Sequence, residues 1–437
     1  MSTRTNLAVA LLLAAAAAAV VAQPAAQSAT KRTLVRAGHL LDVKTGKLLD
    51  NQTIVVVGET IQSIAPTANV QAQSGDTVVD LSALTVLPGL IDVHTHLTMN
   101  ADFDPFREVI STDAKEAING VVNARTTLMA GFTTVRNVGA YGFTDVDLRD
   151  AINAGQVPGP HMLVSGPLLG ITGGHCDENL LPIKYHVSGD GVADGIAAVQ
   201  HQVRQNIKYG ADLIKICATG GVLSKGDDPQ ASQYTLEEMQ AIVADAHRLG
   251  RKVAAHAHGA QGILWATEAG VDSIEHGSYI NDQAIAEMKK RGTYLVPTLY
   301  LEDWMLEHGN LPAFYRQKMI DVSAVAKGNI KHAMQAGVKI ALGTDAAVYP
   351  HGLNAHELDV YVNQLGMSPL AALQSATINA ADLMGLTAKT GTLEPGKWAD
   401  IIAVDKNPLD DVRILQNVKF VMKAGVVYKS EGIGSRE

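Results

Sequence analysis

The sequence predicts an α/β protein: a (β/α)8 barrel with a small β domain assembled from both chain ends. In the centre, eight short β-branched apolar runs are separated by stretches with helical periodicity, which is the pattern of a barrel of parallel strands. Both ends instead alternate apolar and polar positions between turn residues. A chain of 437 residues with 47% hydrophobic residues is long and apolar enough to bury both parts.

The first residues lie outside the predicted fold. Arg4 provides a basic start, the apolar run from Leu7 to Val21 is rich in alanine, and small residues precede Gln23. We therefore expect a signal peptide at residues 1–22. The protein would then be exported, periplasmic or secreted, with no membrane contact after cleavage. A membrane anchor is the alternative, but the run is short for a span and no basic stop follows it.

The net charge and the cysteine content exclude some classes of binding partner and of structural scaffold. The formal net charge is -9 and the basic residues are scattered, so we expect no nucleic-acid partner. Cys176 and Cys217 are the only cysteines, which excludes a disulfide scaffold. The two thiols either pair in an oxidising compartment or remain separate, and we expect separate thiols.

The two chain ends supply the strands of the predicted β domain. Residues 23–85 contain strand patterns that begin near Thr33, Thr53 and Thr77, and residues 386–437 contain Ala399–Val404 and a strand pair within Val418–Val427. We expect these two segments to form a small β-sandwich beside a distorted (β/α)8 TIM barrel at residues 86–385.

The barrel strands follow one another along the centre of the chain. They are predicted near His94 and at Thr133–Arg136, His161–Val164, Leu213–Ile216, Val253–His256, Ser273–His276, Tyr294–Pro297 and Ile340–Gly343. A helix is predicted at Thr235–Leu249, where Thr235 and Glu238 form the pattern of a capping box.

Side chains that bind metals recur at the carboxyl ends of these strands, where barrel enzymes carry their chemistry. His94 and His96 share one face of the first strand because they are two residues apart, and imidazole pairs suit zinc. The other candidates are Lys215, His256, His258, His276 and Asp345. Each alone has an ordinary explanation as a core histidine, a snorkelling lysine or a helix N-cap. Their recurrence at one end of one barrel predicts a metal site.

Five segments that contain these residues resemble the amidohydrolase superfamily, in the branch with a carboxylated lysine and two metals. The first is Pro88–His96. More narrowly, Ile171–His175, Lys215–Val222, His256–Gly259 and Ile274–Gly277 resemble the Xaa-Pro dipeptidase and imidazolonepropionase-like group. That group includes enzymes that remove the C-terminal residue from dipeptides and N-acyl amino acids, and enzymes that hydrolyse ochratoxin A. The resemblance covers almost all of the chain after residue 22, and it implies a homo-oligomer, up to an octamer.

The resemblance also implies the metal ligands and the mechanism. His94, His96 and Asp345 would hold one divalent ion and His256 and His276 the other, with zinc expected at both positions. Lys215, carboxylated by carbon dioxide, would bridge the two ions. A bridging hydroxide would attack the amide carbonyl, while Asp345 moves a proton to the leaving amine.

Further site candidates come from the neighbouring segments. His258 shares a face with His256 and is our first candidate for stabilising the oxyanion, and His175 is the second. Lys225, Tyr234 and His351 either bind a substrate carboxylate or are ordinary polar loop residues. After the seventh strand, Leu299, Tyr300, Trp304 and Met305 form either an apolar substrate wall or part of the core.

We therefore expect a binuclear amidohydrolase that cleaves an amide next to a carboxylate, in Xaa-Pro or other dipeptides, N-acyl amino acids or ochratoxin A. The alternatives are a cyclic amide or lactone hydrolase and, from another class, a periplasmic metal-binding protein without turnover. Deamination fits less well, because the residues three positions after His256 and His258 are Gly259 and Gln261 rather than glutamate. Lys215 likewise disfavours a mononuclear imidazolonepropionase.

Overall fold

A computed structural model describes residues 32–101 and 110–431, together with the backbone of 435–436. The predicted signal peptide lies outside these residues. The described residues belong to one compact unit, so the proposed domain limits at 85/86 and 385/386 stay predictions. In the described part of the chain, we find no helix with the length and apolar character needed to span a membrane.

Strands from both ends of the chain pair in one sheet. Its strands are β1 (Arg32–Asp42), β2 (Lys47–Val57), β3 (Thr60–Pro66), β4 (Thr77–Pro88), β13 (Ile401–Val404), β14 (Phe420–Lys423), β15 (Val426–Ser430) and β16 (Ser435–Arg436). Their order is β15-β14-β13-β4-β1-β2-β3, and β16 also pairs with β4. The two ends meet where Ile401 pairs with Pro88 in antiparallel register. Because these strands form a single sheet, the predicted β-sandwich is not confirmed.

Gly89 connects this sheet to the parallel strands. A Cβ atom at Gly89 would lie 2.1 Å from Oγ1 of Thr133, so a larger residue would displace the neighbouring strand. Gly89 is the single residue between β4 and β5, the strand that carries His94 and is followed directly by His96.

The central strands are parallel, as predicted. One sheet contains β5 (Leu90–Thr95), β6 (Phe132–Asn137) and β7 (His161–Val164). A second contains β8 (Leu213–Cys217), β9 (Lys252–Ala257), β10 (Ser273–His276), β11 (Tyr294–Val296) and β12 (Lys339–Ile340). Between the sheets, single parallel bridges join Leu169 to Ile216 and Thr95 to Ala346. The α/β class is confirmed, whereas continuous strand pairing around a closed barrel is not observed in the described residues.

Helices lie between many of these strands. They are α1 (Asp113–Met129), α2 (Thr144–Asn153), α3 (Ile196–Lys208), α4 (Leu236–Arg248), α5 (Ala260–Ala269), α6 (Asp282–Arg291), α7 (Tyr300–His308), α8 (Ala313–Gln335), α9 (His356–Asp359), α10 (Pro369–Ser375) and α11 (Ile378–Met384). The capping box predicted for α4 is present: Thr235 Oγ1 accepts from the Glu238 amide, and the Glu238 carboxylate accepts from the Thr235 amide.

The main apolar core lies between the parallel strands and their helices. Phe132, Ile214, Ile263 and Leu295 are each fully buried in it. A separate cluster supports the sheet from the chain ends and contains Val35, Val86 and Phe420. The parallel strands are thus held by packing on their helices, and their carboxyl ends remain available for a site.

Candidate metal centre

The six predicted metal ligands line one cavity of about 720 Å³ at the carboxyl ends of the parallel strands. His94 and Lys215 lie on β5 and β8, His256 and His276 on β9 and β10. His96 follows β5 by one residue, and Asp345 lies on the loop after β12. The fold therefore brings together side chains that are up to 251 positions apart in sequence, from 94 to 345.

The ligand atoms form two adjacent groups. Asp345 Oδ1 lies 3.4 Å from Nε2 of His94 and 3.3 Å from Nε2 of His96. In each group, three potential ligand atoms lie within 4.8 Å of one another. The first group comes from His94, His276 and Asp345, and the second comes from His256, His258 and His276. Because His276 belongs to both groups, two cations bound there would be neighbours. All these side chains are buried or nearly so.

Hydrogen bonds to the outer ring nitrogens determine which nitrogen of each histidine can bind a metal. His94 Nδ1 lies 2.8 Å from Glu275 Oε2, His96 Nδ1 3.1 Å from the Gly139 carbonyl oxygen, and His256 Nε2 3.1 Å from the Gly220 carbonyl oxygen. A carboxylate or carbonyl oxygen only accepts, so these nitrogens carry the proton. The lone pairs on Nε2 of His94 and His96 and on Nδ1 of His256 remain for a cation, as in metal-ligating histidines.

The protonation states of the cluster also suit a metal. Burial is the main cause that lowers the pKa of His96, His256 and His276, so these imidazoles are neutral. Burial alone would raise the pKa of Asp345, but His94 and His96 outweigh it and hold the pKa well below its usual range. Neutral imidazoles and an ionised carboxylate are the forms that coordinate cations.

Lys215 has the environment expected of a lysine that reacts with carbon dioxide. The side chain is 2% exposed, and within the described residues no hydrogen bond or ion pair reaches its Nζ atom. Burial lowers the pKa of Lys215 to about 8, an effect that Glu275 and Asp345 partly oppose. A larger fraction of this amine is therefore neutral near pH 7 than in an ordinary lysine, and the neutral amine is the nucleophilic form.

The backbone is strained at two ligands. His276 and Asp345 have φ angles of 69° and 59°, in the left-handed region that residues with a Cβ seldom adopt. Such strain is concentrated at functional sites, where the surrounding structure holds it. The conformation at Asp345 also differs from the helix N-cap that a purely structural role would require, since no helix begins there.

The structure distinguishes the two oxyanion candidates. Ser224 donates its hydroxyl proton to Asp227, so its oxygen accepts from Nδ1 of His175 at 2.8 Å. Nε2 of His175 then has no proton in the neutral ring, and burial lowers the pKa of His175 to about 4. His175 is thus an acceptor in this arrangement.

His258 can act as a donor. Its Nδ1 lies 2.8 Å from Oγ of Ser278, whose hydroxyl is able to donate to it, and Nε2 then carries the proton. Burial lowers the pKa of His258 to about 3, so the ring is neutral. Both histidines line the cavity, and their hydrogen bonds leave His258 able to donate from Nε2.

The predicted carboxylate-binding residues lie elsewhere. Lys225 is exposed, Tyr234 is 1% exposed with its hydroxyl donating to the Ala193 carbonyl oxygen, and Nε2 of His351 lies 3.0 Å from the Met99 carbonyl oxygen. None of the three is among the described residues that line the cavity. Their selection rested on polarity within a loop, and that pattern does not specify the direction of a side chain.

Two charged residues that support His94 were not anticipated from the sequence. Glu275 receives hydrogen bonds from His94 and, at 2.8 Å, from Nη2 of Arg136. Burial would raise the pKa of Glu275, but Arg136 and His94 outweigh it and lower the pKa to about 2. The signal in the sequence that could have identified this pair is the presence of a charged residue within each of two buried strands, β6 and β10.

The expectation for the cysteines was wrong: Cys176 and Cys217 form a disulfide with a Cα–Cα distance of 6.1 Å. The bond joins the residue after His175 to the end of β8, two residues beyond Lys215. Because 41 positions separate the two cysteines, only the folded chain reveals that they are neighbours.

Fold and site together define a metal-dependent hydrolase, and comparison with known proteins agrees. The sequence profile of the Amidohydrolase family matches residues 85–428. The chain therefore belongs to the amidohydrolase family, and it is a hydrolase that acts on amide bonds.

Individual known proteins are similar to this chain over most of its length. Ochratoxinase from Aspergillus niger is 35% identical over 438 residues, which cover 94% of this chain and 89% of that protein. A crystal structure of a Xaa-Pro dipeptidase with bound methionine matches with a TM-score of 0.87 and 39% identity, over 92% of this chain and all of the other. The structure of A. niger ochratoxinase matches with a TM-score of 0.81, 32% identity, and coverage of 92% and 97%. The predicted resemblance to this group is confirmed.

Proposed function

We propose that this protein is a binuclear metal-dependent amidohydrolase that cleaves an amide beside a carboxylate, in dipeptides, N-acyl amino acids and ochratoxin-like amides. The observation that carries the proposal is the pair of adjacent ligand groups that share His276 on the floor of one cavity. Similarity to a Xaa-Pro dipeptidase and to ochratoxinase supports the substrate class.

The proposed architecture of the site is a distorted barrel of eight parallel strands. The single bridges Leu169–Ile216 and Thr95–Ala346 lie where the two parallel sheets would join, and they support closure. Closure would place every ligand-bearing strand end around one axis.

In the proposed centre, His94, His96 and Asp345 would hold one cation and His256 and His276 the other, and Lys215, once carboxylated, would supply oxygen ligands. Zinc suits this set because imidazole and carboxylate ligands dominate it. When bound, such cations activate water near neutral pH and polarise the scissile carbonyl.

The residues of the chain would carry the proton transfers. Asp345 accepts a proton from the attacking water at a carboxylate oxygen and delivers it to the leaving amine. His258 donates from Nε2 to the oxygen that becomes negative as the carbonyl carbon is attacked. Addition of one water thus yields one carboxylic acid and one amine.

Metal analysis combined with hydrolysis of a library tests the proposal. The library should vary both sides of the amide and include hydantoins and lactones, which would reveal a cyclic amide or lactone hydrolase. We expect about two metals per chain and cleavage of dipeptides or N-acyl amino acids. Fewer than one metal per chain after zinc-supplemented expression, with no hydrolysis, would contradict it.

The Asp345→Asn variant separates catalysis from mere metal binding. We expect it to lose turnover to a greater extent than metal, because its role is to move a proton. Asp282→Asn is a matched control, since Asp282 is 90% exposed and pairs with His332 far from the cavity lining. Equal loss of metal and turnover in Asp345→Asn would count against the shuttle.

We further propose export and homo-oligomeric assembly. The Cys176–Cys217 disulfide supports export, because such bonds persist in oxidising compartments. Exposed Ile118 and Val122, one turn apart on α1, are consistent with a subunit contact. Cell fractionation tests export, and light scattering of the purified protein tests homo-oligomeric assembly.

A further inference from the structure

Glu302 is a buried acid in the wall of the substrate cavity. It lies on α7, is 5% exposed and lines the same cavity as the metal ligands. Its Oε2 atom is buried and makes no hydrogen bond of acceptable geometry within the described structure, and the neighbouring Ser323 hydroxyl, which interacts with the carboxyl group, is likewise buried without one. A buried polar atom that is not fully satisfied is costly, so such an atom in a cavity wall indicates a ligand group that completes it.

The neighbouring basic residue does not supply the missing partner. Lys327 on α8 forms its ion pair with Asp303, and no described lysine, arginine or histidine lies within ion-pair distance of Glu302. Burial raises the pKa of Glu302 to about 8, because Lys327 and the Ser323 hydroxyl offset the burial only in part while Asp303 and Glu357 add to it. The acid is therefore poised to ionise when a cation arrives.

Aliphatic side chains line the same cavity as Glu302. Leu301 precedes Glu302 on α7, and Met319 and Val322 line the cavity from α8. An acid together with aliphatic side chains suits a ligand with a methylene stem and a charged end.

Glu302 is also near the reacting centre. Thr298 Oγ1 lies 2.7 Å from Nδ1 of His276, and Glu302 follows Thr298 by four residues. Four residues span at most about 14 Å between Cα atoms. A lysine-length side chain next to the scissile amide is of the right size to cover such a separation.

We propose that Glu302 is the specificity-determining acid of the cavity and receives the terminal cation of a lysine- or arginine-like side chain beside the scissile amide. This inference rests on the proposed amide hydrolysis and names its substrate class. The stem of the side chain packs on the apolar wall, and the ammonium or guanidinium donates to the carboxylate of Glu302. A neutral isostere leaves Oε2 buried and unpaired, so it binds less well.

The first experiment compares charged and neutral isosteres in the metal-loaded enzyme. Dipeptides carry lysine or norleucine, and arginine or citrulline, on either side of the amide. We expect kcat/KM to favour the cationic member of a pair, on at least one side, by about tenfold or more. In Glu302→Gln the ratio of kcat/KM for the lysine substrate to kcat/KM for the norleucine substrate should fall by about the same factor.

Glu307→Gln is the matched control, because Glu307 lies on the same helix α7, is 76% exposed and is outside the described cavity lining. It should leave the lysine-to-norleucine ratio unchanged. Equal kcat/KM values for charged and neutral members on both sides in the wild type overturn the inference. An unchanged ratio in Glu302→Gln also overturns it.

A binding measurement separates this inference from the proposed function. Free L-lysine should raise the melting temperature of the wild type more than L-norleucine does, and Glu302→Gln should lose the difference. Equal stabilisation of the wild type by both amino acids counts against a cation site. A lysine-specific shift without hydrolysis of any amide would support the cation site and contradict the proposed function alone.

Discussion

Glu275 and His94 form a buried hydrogen bond in which Oε2 of the carboxylate lies 2.8 Å from Nδ1 of the ring. The other carboxylate oxygen is held by Arg136 at 2.8 Å. The pair connects β10 with β5, and it orients His94 so that Nε2 is directed toward Asp345. Carboxylates in this position orient metal-ligating histidines and increase their basicity.

The Glu275→Gln variant should retain metal about 10–100-fold less tightly, as expected when such an outer partner is lost. The buried guanidinium of Arg136 also loses its charged partner, so the melting temperature should fall. Chelator competition and calorimetry measure the two effects. Glu287→Gln is the control, since Glu287 pairs with Lys290 and Arg291 on α6. Unchanged metal retention in Glu275→Gln would show that Glu275 does not orient His94.

Lys215 should carry a carbamate. Protein equilibrated with ¹³C-bicarbonate and metal is expected to show a carbamate carbon resonance that Lys215→Met lacks, because the reacting amine is removed. Lys423→Met is a demanding control: Lys423 is also buried, but its Nζ donates to the Gly159 carbonyl oxygen. A signal that persists in Lys215→Met, or disappears in Lys423→Met, would contradict the assignment.

The Cys176–Cys217 disulfide should stabilise the fold. Closing a loop across 41 positions is worth about 4 kcal/mol in the chain-entropy account. We expect reductant to lower the melting temperature of the wild type toward that of a Cys176→Ala/Cys217→Ala double variant. The double variant should not respond to reductant. A wild type that melts identically with and without reductant would argue against the bond.

Glu302 should make stability depend on pH. Its pKa rises from 4.5 to about 8 on folding, so between these values the folded state keeps a proton that the unfolded chain has released. Stability therefore falls as pH rises through this interval. Urea unfolding at pH 5 and pH 8 should show a smaller decrease for Glu302→Gln than for the wild type. Equal decreases would place Glu302 in a more solvated environment than the structure describes.

Local patterns in the sequence determined the strands, the helix cap of α4 and the types of side chain at the candidate metal centre. Strand positions follow from short β-branched runs, and the shared direction of His94 and His96 follows from their spacing. The alternation of apolar and polar residues also identified strands at both chain ends. Which strands pair depends on contacts between remote segments; the strands of both chain ends pair in one sheet, and the predicted β-sandwich is not confirmed.

Tertiary structure decided every feature that depends on distance between remote residues or on the direction of a loop side chain. Tyr234 faces the interior, although its loop suggested substrate contact. The disulfide and the Arg136–Glu275–His94 chain join separate strands and loops, and no local period encodes such contacts. The position of Glu302 in the cavity wall was likewise not predictable from the sequence. It depends on the packing of helices α7 and α8 and not on the residues beside Glu302 in sequence.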